Sequence, residues 1–184
     1  MKTDAVQQHI LKNAHNLRIA SAVGEAWLGA KEHLIAGFFE RLKSRLATRL
    51  KGWTIEPWKR CLIDSDAGYY LWKPAWRDQY YVVLQFGSRG QDMKFGVLRQ
   101  ADRIGKRRFS TELLAAVQKH YPSAHSGKWW EAVVHMHSPA ADWTTPEALW
   151  KMHTDKEFLV NVAEQLLTVA RVSEPIVNRL ARKK

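Results

Sequence analysis

Three short runs rich in β-branched and aromatic residues follow one another between Tyr69 and Gln100, and they limit the fold more than any other stretch. Pro74, Asp78, Gly87 and Gly90 fall between them, where turns are built. In the middle run Tyr80, Val82, Leu84 and Phe86 share one face of a strand, while Tyr81, Val83 and Gln85 share the other. Both faces are largely apolar, which predicts a central strand covered on both sides. Met93, Phe95 and Val97 alternate with Lys94, Gly96 and Leu98, as in a half-exposed neighbour. The links are too short for parallel crossovers, so the pairing is antiparallel. The expected core of the fold is a β-meander.

Helical patterns flank it. Val6, Ile10, Ala14 and Leu17 recur at helical spacing without a proline from Asp4 to Leu50, and Gly24 and Gly29 around Trp27 predict a break or a bend. Phe38 or Phe39, Leu42, Leu46 and Leu50 then form a clean stripe that Gly52 ends. Trp53 to Ile63 is a candidate first strand that Pro57 confines to an edge or to irregular structure. Ser110 caps a helix running to about His120, Tyr121 to Gly127 is loop, and a last strand runs from about Trp129 to His135. Helices start at Thr144 or Thr145 before Pro146, at a Thr154-to-Glu157 capping box, and at Ser173–Pro175. The expected fold class is α+β: an antiparallel meander of about four strands packed by N-terminal and C-terminal helices. The 184 residues form one domain, with a helical part at 1–52, a sheet with one inserted helix at 53–137, and C-terminal helices at 143–184.

Charge gives the strongest functional signal. Twenty-nine Lys and Arg against 18 Asp and Glu leave a net charge of +11, a field that attracts polyanions. Two clusters concentrate it. Arg99, Arg103, Lys106, Arg107 and Arg108 leave the meander, and Lys73, Arg77 and Arg89 sit on its turns beside Trp76. Such cations neutralise phosphates, and an accessible indole stacks on unpaired bases. The lone Cys61 excludes an intrachain disulfide and a cysteine-based zinc knuckle. With no apolar run of membrane-spanning length and no signal-like start, the expected compartment is the cytoplasm and no membrane partner is expected.

Two constellations support an enzymatic alternative. Asp92-Met-Lys94 fits the second half of a PD-(D/E)XK nuclease site, with Asp78 or Asp66 as the upstream carboxylate, and that chemistry requires a divalent metal. An Asp beside a Gly-rich turn is equally a turn residue. His135-Met-His137 is a candidate metal pair, because alternate residues of a strand point to one side. No Ser-centred elbow, phosphate loop or His-Glu-x-x-His motif is present.

Further residues suggest a family. The run Tyr69-Tyr-Leu-Trp-Lys-Pro-Ala-Trp76, the Tyr81–Phe86 and Phe95–Val97 strands, Trp129-Trp130, and Trp143 with Pro146-Glu-Ala-Leu-Trp150 resemble the C-terminal portion of PD-(D/E)XK nuclease-superfamily proteins of bacterial defence and mobile-element loci. The likeness spans about residues 35 to 180 and rests on aromatic, structural positions. It implies an accessory module without the nuclease core. Such a module binds nucleic acid, or engages a nuclease or antiviral-defence complex as partner or inhibitor. The leading expectation is therefore a non-catalytic binding protein for nucleic acid or a nucleoprotein complex, without a cofactor. A metal-dependent nuclease and a protein-interaction module are the alternatives.

Overall fold

The computed structural model describes residues 4–58, 66–76, 78–88, 90–100 and 108–182; Cys61 lies outside them. In chain order the elements are α1 (Ala5–Ile10), α2 (Ala14–Arg49), β1 (Thr54–Trp58), β2 (Gly68–Trp72), a 3-10 turn (Pro74–Trp76), β3 (Tyr80–Gln85), β4 (Lys94–Arg99), α3 (Thr111–Gln118), β5 (His125–Gly127), β6 (Trp130–His135), α4 (Pro146–Thr154) and α5 (Lys156–Arg182). The strands form one six-stranded antiparallel sheet in the order β1-β2-β3-β4-β6-β5. The β2–β3–β4 meander lies at its centre, and the proline-bearing β1 is an edge strand as expected. The sheet has six strands where about four were expected, and the one with no counterpart in the sequence reading is β5, a three-residue strand in what reads as loop.

Helices cover one face. Ile55, Tyr69, Leu71, Tyr80, Val82, Leu84, Phe86, Phe95, Val97, Ala132 and Val134 point from the strands into one core, and α2, α3, α4 and α5 supply the opposing side chains. Phe39 stacks on Tyr69 at 4.7 Å between ring centroids, and Trp143 meets Phe38 at 5.1 Å and Phe86 at 5.2 Å, edge to face. Burial, with Glu40 alongside, pushes the Tyr69 phenol up to about 12. Wide aromatic rings fill the gap between sheet and helices that aliphatic residues alone would leave open.

Helix boundaries differ from expectation, first at Leu11–Asn13, where α1 ends and Asn13 caps α2. α2 runs unbroken for 36 residues through Gly24 and Gly29, a length of about 54 Å. Thr154 belongs to α4, where its hydroxyl donates to the Trp150 carbonyl, and Asp155 caps α5 by accepting from the amides of Glu157 at 2.8 Å and Phe158 at 3.1 Å. α5 does not restart at Ser173 but continues through Pro175. A proline inside a helix costs about 3 kcal/mol. Buried Val169, Ala170, Ser173, Ile176, Val177 and Ala181 continue one packed stripe on both sides of exposed Pro175, and that packing offsets the cost. No described helix is long and apolar enough to cross a membrane.

Candidate nucleic-acid interface

Of the cations singled out in the sequence, Lys73, Arg99 and Arg108 are among the described residues. Arg77, Arg89, Arg103, Lys106 and Arg107 lie outside those residues. Arg108 is exposed. Lys73 pairs with Glu174 of α5 and lies 6.0 Å from the Trp53 ring, so its charge already serves the contact between turn and helix. Trp76 is fully buried, donates from Nε1 to Asn178 Oδ1 at 2.8 Å and meets Trp53 edge-on, which leaves no ring face for a base.

Arg99 is placed by strand pairing. A register shift between β4 and β6 pairs Val97 with Ala132 and Leu98 with Trp130, leaving Glu131 as the extra residue. Its carboxylate is almost wholly buried. Oε2 accepts from the Ser110 amide at 2.7 Å, and Oε1 lies 3.9 Å from Arg99 Nη1. The Arg99 guanidinium also sits 3.7 Å from the Phe109 ring centroid. Arg99 therefore neutralises a buried acid at the start of α3, where the Ser110 hydroxyl caps the helix by accepting from the Leu113 amide. A phosphate would have to compete with that acid.

Of the two carboxylate pairings read as a nuclease site, that of Asp78 with Asp92 is divided by a strand, whereas Asp66 lies at the same end of the sheet as Asp92. Asp78 precedes β3 and Asp92 follows it, so about 20 Å of strand divides the two carboxylates. They cannot share a cation. Asp66, Asp78 and Asp92 all have positive φ, at 64°, 57° and 52°, the left-handed turn conformation that Asp tolerates better than most residues. Asp92 Oδ1 accepts from His135 Nδ1 at 2.6 Å, and the His135 ring stacks on His125 at 5.7 Å. His137 instead lines a hollow of about 270 Å³ with Lys151, Asp155, Glu157 and Gln165. The two histidines thus serve different neighbourhoods. Among the described residues no group of three or more His, Cys, Asp or Glu side chains could hold a metal ion.

What the structure does bring together is the other face of the sheet. Cross-strand register places Trp58, Gln85, Lys94 and His135 in one row, Tyr70, Val83 and Val133 in the next, and Tyr81, Leu98 and Trp130 in a third. Tyr70, Val83, Trp130 and Val133 form a second cluster with Trp72, Tyr81 and Leu98 at its margin, and among the described residues no helix residue belongs to it. The central strand β3 is largely buried on both faces, and the described helices cover one of them. Rings continue across the strands: Trp58 stacks on Tyr70 at 5.0 Å, Tyr81 meets Tyr70 edge-on at 5.5 Å, and Trp72 meets Tyr81 at 5.6 Å. Lys94 Nζ lies 5.8 Å from the Trp130 ring and Lys128 Nζ 4.9 Å from the Trp129 ring. Trp58 is 48 % exposed and Trp129 45 %.

Gln85 fixes this face from below, donating from Nε2 to the Asp66 carbonyl at 3.1 Å and to the Tyr70 hydroxyl at 3.4 Å. Burial, with Asp66 and Tyr81 adding to it, pushes the Tyr70 phenol far above the usual tyrosine range, so the ring stays uncharged in neutral solution. The Tyr81–Val83–Gln85 alternation was the signal for this face. It does not reveal that Trp58, well before Tyr70 in the chain, lies against that tyrosine.

No family model matches the chain, and no significant match was found among curated proteins or among solved structures.

Proposed function

We propose that the protein is a non-catalytic nucleic-acid-binding protein that takes single strands on the face of its sheet opposite the described helices. The observation that carries this reading is the row of rings from Trp58 through Tyr70 and Tyr81 to Trp72, with Lys94 and Trp130 on the next two strands of the sheet. Tyr70 and Trp130 are themselves buried and support the surface, so unpaired bases stack on exposed Trp58 and half-buried Trp72 and Tyr81, and lysines at the margin hold the backbone. A duplex hides its base faces and gains nothing from the same surface. The net charge of +11 supplies the long-range attraction. The resemblance to an accessory region of PD-(D/E)XK-superfamily proteins directs the reading toward nucleoprotein complexes of defence and mobile-element loci.

Titration of fluorescent single-stranded DNA, RNA and duplex DNA at two salt concentrations tests it. Single strands are expected to bind more tightly than duplex, with a log–log salt slope of about 0.7 per phosphate contacted. Salt-independent binding, or equal loss of both forms on Trp58→Ala, overturns it. A protein partner captured without any nucleic-acid binding favours the interaction-module alternative.

A further inference from the structure

We propose that the N-terminal part of α2 is a dimerisation arm on which two copies of this chain pair antiparallel. The stripe that α2 turns to the core, Ile35, Phe38 and Leu42, continues backwards at alternating spacings of three and four as Lys31, Leu28, Gly24, Ser21 and Leu17. From Ile35 onward this seam is buried; before Lys31 it is exposed, with Leu17 at 52 % and Leu28 at 59 %. A seam of this period, leucine at its ends and small residues between, is what one helix offers another.

The pattern is self-complementary. A two-fold axis between Ser21 and Gly24 sets Ser21 opposite Gly24 of the second copy and Leu17 opposite Leu28. Small residues at the centre let the backbones approach, and a leucine layer closes each end. A helical serine can return its hydroxyl to the carbonyl one turn back, so Ser21 does not require a polar partner across the seam. Arg18 and Glu25, seven residues apart, occupy one edge of the seam. In an antiparallel pair like edges meet, so Arg18 comes within reach of Glu25 of the second copy, and Glu25 within reach of its Arg18. Ala20 and Trp27 occupy the opposite edge. There α1 and α2 enclose a notch of about 400 Å³, lined by Ile10, Asn16, Ile19 and Val23 among others, beside which Trp27 of the second copy arrives.

Charge selects the same occupant. Residues 4–32 hold three acids (Asp4, Glu25, Glu32) and three bases (Lys12, Arg18, Lys31), so the whole excess of +11 lies elsewhere in the chain. A polyanion has no reason to choose this arm, whereas two neutral arms meet without the repulsion that any other pairing of these chains incurs. The inference is independent of the nucleic-acid reading.

Sedimentation velocity of the full chain over a concentration series tests it. The wild type is expected to sediment at twice its 21.3 kDa chain mass. Leu17→Glu and Leu28→Glu, at exposed positions outside the core, are expected to give folded monomers by circular dichroism. Arg18→Glu is expected to weaken the dimer about tenfold, and adding Glu25→Arg to restore it. A monomeric wild type, a dimer indifferent to Leu17→Glu, or a charge swap that fails to rescue each overturns the proposal.

Discussion

Replacing Arg99 by Met separates a structural arginine from a phosphate-binding one. The substitution keeps most of the aliphatic stem and removes the charge. In the folded protein the Arg99 side chain is 12 % exposed, its partner Glu131 is 1 % exposed, and the two lie 3.9 Å apart. Removing one member of a buried pair costs about 3–5 kcal/mol, because the other charge stays buried without compensation. Here the Ser110 amide still donates to Glu131, which places the cost near the lower end. Loss of the guanidinium over Phe109 adds roughly 0.5–1 kcal/mol. The sum is about 3–4 kcal/mol, or roughly 6–16 °C in Tm for a domain of this size. Urea unfolding followed by tryptophan fluorescence measures it. The double variant with Glu131→Gln is expected to recover part of the loss, since the amide oxygen still accepts from Ser110 and no lone charge is left. Stability of Arg99→Met within about 0.5 kcal/mol of wild type would refute this reasoning, the more so with a fall in nucleic-acid affinity.

Three further outcomes are expected. Trp76→Ala removes a fully buried indole and its bond to Asn178, and is expected to cost about 3–5 kcal/mol in urea unfolding while leaving the salt slope of binding unchanged. Gly96 has φ 155°, and a Cβ there would stand 2.1 Å from the Ala132 carbonyl oxygen; Gly96→Ala is expected to lower Tm sharply by forcing β4 away from β6. Tyr69 titrates at about 12 when folded against 10.0 in its ordinary state, so folding favours the neutral phenol. That stability is complete below pH 10 and is lost as pH rises from 10 to about 12, and phenolate absorbance with alkaline unfolding of Tyr69→Phe against wild type reads it.

Legibility in the sequence follows the range of the interactions involved. The meander was readable because the period of Tyr80, Val82, Leu84 and Phe86 is local, as were the caps at Ser110 and Thr145, whose hydroxyls accept from amides three residues on. The continuous α2 and α5 were not. Gly24, Gly29 and Pro175 are local signals for breaks; at Pro175 they yield to a packed stripe contributed by distant elements. The surroundings of Arg99 were not legible for the same reason. Density of arginine along the chain suggested Arg99, but the bulge that turns Glu131 inward toward it is a property of strand pairing. Lys94 was noticed as part of a nuclease triplet. Only the register shows it in one row with Trp58, across the two strands between them, on the face opposite the helices.

The most direct test is a paired titration of one single-stranded oligonucleotide against wild type and Trp58→Ala, with duplex of the same sequence as control. Trp58 is half exposed at an edge strand, so its removal leaves the core intact. Loss of one stacking ring is expected to weaken single-strand binding by about 1–3 kcal/mol, roughly 5- to 150-fold, with duplex binding unchanged. Equal affinities of the two proteins for the single strand would contradict the assignment of binding to this face of the sheet.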